Sequence, residues 1–212
     1  MSAKQDAFAI TAKTIIGNLE KRNMEGFYCA NKKELAEAIM PMLEKGSSIA
    51  WGGSESFKES GILAALEQDG SFELIDRMKA TTLEERRKIF GQTAMSDYFF
   101  MSTNAITLNG ELVNIDGNGN RLSALIHGPA HVFIIAGMNK VTKDVEEGFK
   151  RTRVCACPPN GVRLNKSTPC AKIGRCGECM SEECMCNQFV VTRRSGHKGR
   201  IKVFLVGEEL GF

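Results

Sequence analysis

Aromatic residues are scarce in this chain of 212 residues, with one tryptophan, two tyrosines and 7% aromatics in all. No basic stripe interleaves with them, so the stacking platforms of single-strand binding are missing and nucleic acid is the weakest partner reading. The apolar run from His131 to Met138 is far too short to span a bilayer and holds a histidine. The first ten residues lack the long apolar core of a secretory signal, and no small-residue cleavage site follows. A cytoplasmic protein without a membrane partner is therefore expected. Low-complexity tracts and internal repeats are missing too. There are only three histidines, and no Ser-His-Asp set can be picked from their spacing. Neither a Walker A loop nor a G-x-G-x-x-G fingerprint is present, and no motif indicates a flavin.

What is present fits an ordinary globular protein. Hydrophobic residues make up 42% and charged residues 25%. The length suffices for one α/β domain with a real core, or for that domain and a small appendage. The net charge of +3 is small but unevenly spread. From Arg151 onward there are 11 Lys/Arg against 5 Asp/Glu, whereas residues 1–150 carry 17 against 20. The basic end is either a solvated surface or a face for an anion or acidic partner.

Apolar residues at Phe8, Ala12, Ile15, Ile16 and Leu19 have helical spacing, with Gly26 as the stop. Asn31 to Glu34 reads as a capping box for a helix carrying Leu35, Ile39 and Leu43, which Pro41 bends and Gly46 stops. Ser48 to Trp51 is a strand that runs into Gly52-Gly53-Ser54, and a helix from Glu55 to about Glu67 follows. Two glycines there let a ligand approach the backbone, or simply make a tight turn. Phe72–Ile75 is a strand, Thr82 and Glu85 box a helix to about Ala94, and Tyr98–Met101 is a strand ending in Ser102-Thr103-Asn104. This alternation predicts an α/β fold with a mainly parallel sheet and helices on both faces.

The stretch from Ile106 to Lys140 gathers small and polar residues at several strand ends, where ligands sit in open α/β sheets. Asn109-Gly110 between Ala105–Leu108 and Glu111–Ile115 predicts a hairpin of the I′ type. After Asp116-Gly117-Asn118-Gly119-Asn120, Arg121 falls at the start of a short helix, where a cation opposes the helix dipole. Either a carboxylate or phosphate ligand or an internal pair with Asp116 explains it. Thr142 is expected to cap the next helix, with Asp144, Glu146 and Glu147 in its first turn.

Eight cysteines in a cytosolic chain point to metal or redox chemistry rather than a disulfide framework. Seven fall in the tail: Cys155 and Cys157, then Cys170-x5-Cys176-x2-Cys179-x4-Cys184-x-Cys186. With a single Cys-x2-Cys, the spacing matches neither a two-knuckle zinc ribbon nor the familiar ferredoxin runs. An iron–sulfur cluster, zinc, redox-active thiols and disulfides all stay open. Cys29 reads as a packing residue. Residues 155–212 are read as a Cys-rich extension packed on an α/β domain of residues 1–154. Its Phe189–Val191 and Ile201–Val206 are expected to form a β-hairpin.

The blocks W-G-G-S (Trp51 to Ser54), S-T-N-A-I-T-L-N-G-E-L-V-N-I-D-G-N-G-N-R (Ser102 to Arg121) and I-A-G-M-N-K (Ile135 to Lys140) resemble the LUD domain family, the lactate-utilisation, YkgG-like proteins. The tail resembles that of its short members, and the likeness covers roughly residues 8 to 212. It implies a fold similar to the NagB/RpiA/CoA-transferase superfamily. It also implies a part in electron transfer from a small hydroxy acid, beside iron–sulfur partner proteins. Carried over residue by residue, the implied pocket is Gly52, Gly53, Ser54, Asn104, Asp116, Asn120, Arg121, Asn139 and Lys140. The implied metal ligands are Cys170, Cys176, Cys179 and Cys186, while Cys155, Cys157 and Cys184 depart from the pattern.

The first reading is thus an oxidoreductase subunit with an iron–sulfur cluster, whose pocket holds a small anionic metabolite through Arg121 and Lys140. The second is a non-redox, metabolite- or anion-binding regulator with a structural zinc. A transferase or isomerase is third and needs a nucleophile such as Glu55 or Glu111. A homo-oligomer is compatible with each. Substrate, electron acceptor and catalytic residues stay open.

Overall fold

The computed structural model describes residues 2–212. In chain order its elements are α1 (Ala3–Lys21), β1 (Glu25–Cys29), α2 (Lys32–Ile39), β2 (Ser48–Trp51), α3 (Glu55–Glu59), α4 (Ile62–Asp69), β3 (Glu73–Ile75) and α5 (Leu83–Ala94). There follow β4 (Tyr98–Met101), β5 (Ala105–Thr107), β6 (Leu112–Asp116), α6 (Asn120–Ile126), β7 (His131–Gly137), β8 (Val141–Thr142) and α7 (Val145–Arg151). The last part holds α8 (Cys157–Arg163), α9 (Pro169–Ile173), β9 (Gln188–Thr192) and β10 (Ile201–Val206).

The main sheet has six parallel strands in the order β1-β10-β7-β4-β2-β3. Its central strands are apolar at nearly every position because both faces are covered, the exceptions, such as Ser48, His131 and Lys202, lying at or next to strand starts. Successive side chains alternate between two cores. Phe99, Met101, Ile134 and Val203 point to the layer that contains α1 and α6. Phe100, Phe133, Ile135 and Phe204 point to the layer of α2, α3 and α4. There Phe133 packs its ring 5.2 Å from Phe100 and 5.4 Å from Phe204, centroid to centroid. Each such fully buried ring contributes about 1.5–3 kcal/mol of transfer free energy. A second sheet, in the order β8-β5-β6-β9, carries the hairpin β5–β6.

Several expectations need correction. The tail is no appendage closed by a hairpin: β9 pairs antiparallel with β6 in the second sheet, and β10 lies between β1 and β7 in the main sheet. Apart from Lys202, Ile201–Val206 is apolar at every position, which suits a covered parallel sheet better than an exposed hairpin. Gly26 is inside β1 rather than a helix stop. A Cβ there would fall 2.8 Å from Ile16 Cγ1, so the glycine lets α1 lie directly on the strand. α2 ends at Ile39, and Pro41 sits in a short 3-10 turn, Met40–Met42, instead of bending the helix. The helix expected from Glu55 onward is broken in two at Gly61, which has φ +78°. The β5–β6 turn is not type I′, which needs positive φ at both central residues. Only Gly110 has it (φ +86°), after a turn closed by its N–H on the Thr107 carbonyl at 2.8 Å. Asp144, not Thr142, caps α7, its side chain accepting from the Glu147 N–H.

Other local readings hold. Ser54 caps α3 and Asn31 caps α2. Thr82 and Glu85 form the expected capping box, and the Thr81 and Thr82 N–H groups hold the Glu85 carboxyl down to about 2.

Candidate functional site

The carboxyl ends of β2, β4 and β7 lie side by side in the main sheet. They open on a cleft of about 570 Å³, which also takes in the end of β6, the turn into α6, α8 and residues 182–187. Of the residues implied for the pocket, Gly53, Ser54, Asn104, Asp116, Asn120, Arg121 and Lys140 line it. Gly52 and Asn139 do not. The Gly52 N–H is spent on the Phe100 carbonyl, at 2.9 Å. Asn139 instead fastens the last residues of the chain: its Oδ1 accepts from Leu210 N–H at 3.2 Å and its Nδ2 donates to the Gly211 carbonyl at 3.3 Å.

Arg121 is anchored within the protein. Its Nε donates to Asp116 Oδ2 at 3.2 Å. One terminal nitrogen donates to the Ser102 carbonyl and Asn114 Oδ1, at 2.9 and 2.6 Å. The other donates to Asn104 Oδ1 and the Ile115 carbonyl, at 3.1 and 3.0 Å. A guanidinium has five N–H donors, and these contacts occupy all of them. Burial pushes its pKa down while Asp116 pushes it back up. Of the two explanations for Arg121 left open by the sequence, the internal pair is the one seen. Its role as the hand that holds an anion is corrected accordingly.

The same network explains neighbouring residues. Asp116 Oδ1 accepts from the N–H groups of Asn118 and Gly119, at 3.1 and 2.9 Å, and so shapes the turn into α6. Asn104 Oδ1 also accepts from Ile115 N–H at 2.9 Å. Asn114, which sequence reasoning missed, is fully buried in β6, and only its place between inward-facing Val113 and Ile115 signalled it. The two glycines make room for arginines. A Cβ on Gly52 would touch Arg121 Cγ at 3.4 Å, and one on Gly53 would strike Arg77 Nη2 at 2.2 Å.

Other charges facing the cleft are mostly paired. Arg163 meets Glu55 at 3.3 Å and Lys166 meets Glu183 at 3.2 Å. Lys140 is different. It is only 4% exposed, and its Nζ donates to the Phe212 carbonyl oxygen at 2.7 Å. An ammonium has three donors, so two stay uncommitted. Burial first, then the Arg151 and Arg121 charges, lower its pKa to about 7, against a smaller opposing pull from Glu59. Glu111 is away from the cleft, bound by Arg22 and Thr107. None of the three histidines lines the cleft. His131 opens β7, the strand end opposite Lys140, and stacks on Tyr98.

The cysteines expected to bind metal are not brought together. Cys170 is buried beside Thr168 Oγ1 at 3.2 Å, and Cys179 lies by Ser181 Oγ at 3.3 Å. Cys186 faces Cys157, with their sulfurs 3.6 Å apart. Among the described residues no group of three or more His, Cys, Asp or Glu side chains is arranged to hold a metal ion. The thiols that approach one another are instead Cys157, Cys179, Cys184 and Cys186, with Cys184 next to both Cys179 and Cys186, so the set differs from the one the resemblance implied. Cys157 and Cys184, outside the implied ligand set, line the cleft. Cys29 is core, 2% exposed, its thiol pushed up to about 11 by burial and Glu34.

No helix among the described residues is long and apolar enough to cross a membrane. No curated protein sequence matched significantly. Among solved structures, a DUF162 family protein from Deinococcus radiodurans is similar over 97% of this chain and 99% of its own, at 15% identity and TM-score 0.50. Ribose 5-phosphate isomerase from Plasmodium falciparum is similar over 53% of this chain and 52% of its own, at 19% identity and TM-score 0.33. The eIF2B delta chain from Chaetomium thermophilum is similar over 66% of this chain and 54% of its own, at 14% identity and TM-score 0.36. Residues 12–206 match the LUD domain, and the chain belongs to that family of lactate-utilisation-type proteins.

Proposed function

We propose that the cleft holds a small carboxylate of the 2-hydroxy acid class and that the chain is the substrate-holding subunit of a lactate-utilisation oxidoreductase. Oxidising such an acid to the 2-oxo acid removes two electrons and two protons. The electrons go to an iron–sulfur partner protein, and this chain supplies binding and orientation. Family membership supports the substrate class.

One observation carries the binding claim: among the described residues Lys140 is the buried basic side chain of the cleft with donors left over. Arg121 contributes by making the floor rigid, since all its donors face inward. Ser54 and Asn120 add polar groups at the rim; Ser54 Oγ is occupied only as an acceptor, from Phe57 N–H at 3.2 Å. A carboxylate that displaces the Phe212 contact forms a charge-assisted bond with Lys140, worth about 1.5–3 kcal/mol, or roughly 10- to 100-fold in affinity.

Calorimetry of L-lactate with the wild type and Lys140→Met tests this. The variant is expected to lose that factor while keeping its fold. Equal affinity in both would remove Lys140 from the site. Binding without lactate-dependent reduction of an iron–sulfur partner would favour the non-redox, metabolite-sensing reading.

A further inference from the structure

Among the neighbouring tail thiols, Cys157 and Cys186 face each other from two different segments, with Cys184 beside Cys186. Cys157 is the first residue of α8, and Cys186 lies just before β9. Their sulfurs are 3.6 Å apart although 29 residues separate them in sequence. Both cysteines are unbonded thiols here.

Independent contacts hold the two sides in register. Asn160 of α8 donates to Met185 Sδ at 3.7 Å. Beyond Cys186, the Asn187 N–H donates to the Asp116 carbonyl at 3.0 Å, and its side chain donates to the Gly117 carbonyl at 2.9 Å. Before Cys186, residues 174–185 contain no helix or strand. A disulfide bond is about 2 Å long, so the sulfurs must close by about 1.5 Å. A chain without regular hydrogen bonding can move that far while Asn187 stays anchored. Cys157 lines the cleft, which gives a small reagent a path to it.

We propose that Cys157 and Cys186 are a redox-active dithiol whose substrate is a small-molecule disulfide. One thiolate attacks the incoming disulfide, forms a mixed disulfide and releases the first small thiol. The second protein thiolate then attacks the mixed disulfide and releases the other. The protein loses two protons and two electrons, and the reagent disulfide becomes two thiols. The product staples α8 to residues 184–187, two walls of the cleft. This inference is independent of which carboxylate the cleft holds.

The test uses the reduced full-length protein incubated with oxidised glutathione, then digested without reduction and analysed by mass spectrometry. The expected product is a single cross-link between the peptides of Cys157 and Cys186, reversed by dithiothreitol. Cys155→Ser should leave it unchanged. Cys157→Ser and Cys186→Ser should each abolish it and trap glutathione on the remaining cysteine, with unchanged circular dichroism confirming the fold. A predominant cross-link between other cysteines would overturn the proposal, as would no cross-link at all. So would zinc or iron bound stoichiometrically to the purified protein and lost in both serine variants.

Discussion

Arg121 Nε lies 3.2 Å from Asp116 Oδ2, both side chains largely buried, with the other four guanidinium N–H groups turned to Ser102, Asn104, Asn114 and Ile115. The pair ties the end of β4 to the end of β6 and to the start of α6. It makes Arg121 part of the cleft's frame. Arg121→Met should therefore lower stability by about 3–5 kcal/mol, because Asp116 is left buried without its partner. Urea denaturation measures this as a lower midpoint at constant slope. A shift under about 1 kcal/mol, the range of exposed ion pairs, would contradict the frame role.

Lys140 makes stability depend on pH in a definite direction. Its folded pKa is about 7, below the ordinary lysine value of 10.5. Between those values the unfolded chain binds the proton and the folded chain does not. Stability therefore rises with pH in that window, by at most about 1.4 kcal/mol per unit. Below pH 7 both states are protonated and the full cost of the buried charge applies. Lys140→Met removes that cost. Its advantage over the wild type should be largest near pH 6 and shrink steadily toward pH 10. A constant difference between the two denaturation series would show that Lys140 stays charged.

Gly137 ends β7 where the final residues of the chain cross it. A Cβ there would lie 2.4 Å from Asn139 Oδ1 and 2.6 Å from both Glu208 O and Leu210 N. Two of these are backbone atoms, so relief requires moving residues 208–211. Gly137→Ala should cost about 1–3 kcal/mol, as overpacking does. Hydrogen exchange should quicken at the amides of Leu210 and Gly211, which now donate to Asn139 Oδ1 and Glu59 Oε2. Unchanged exchange there would mean that the crossing tolerates a methyl group.

The central strands, most caps and the polar strand ends were legible because each rests on local chemistry. Ser54, Asn31 and Thr82 cap helices as their spacing implied. What was hidden depended on pairing across distance. Ile201–Val206 has the composition of a strand, but nothing local says that its neighbours are β1 and β7 rather than β9. Gly52 and Gly53 signalled a close approach, and only the fold shows that Arg121 and Arg77 make it. Cys157 looked like a departure from the tail pattern until α8 set it beside Cys186.

Cys29 separates packing thiols from reactive ones. At pH 8 a thiol with pKa about 11 is ionised in roughly one molecule in a thousand. Cys155 is exposed. Limited alkylation at pH 8 should label Cys155 early and reach Cys29 only when the protein unfolds. Early labelling of Cys29 would show that β1 opens readily.

Proton uptake on ligand binding tests the cleft most directly. In the free protein Lys140 is half-protonated near pH 7 and mostly neutral at pH 8. A carboxylate beside it raises its pKa, so binding at pH 8 must draw up to about one proton from the buffer. L-lactate is titrated calorimetrically at pH 8 in two buffers of different ionisation enthalpy. Net proton uptake by the wild type that vanishes in Lys140→Met is the predicted result. A binding heat that does not depend on the buffer, or an uptake that survives in Lys140→Met, would contradict a carboxylate site built on this lysine.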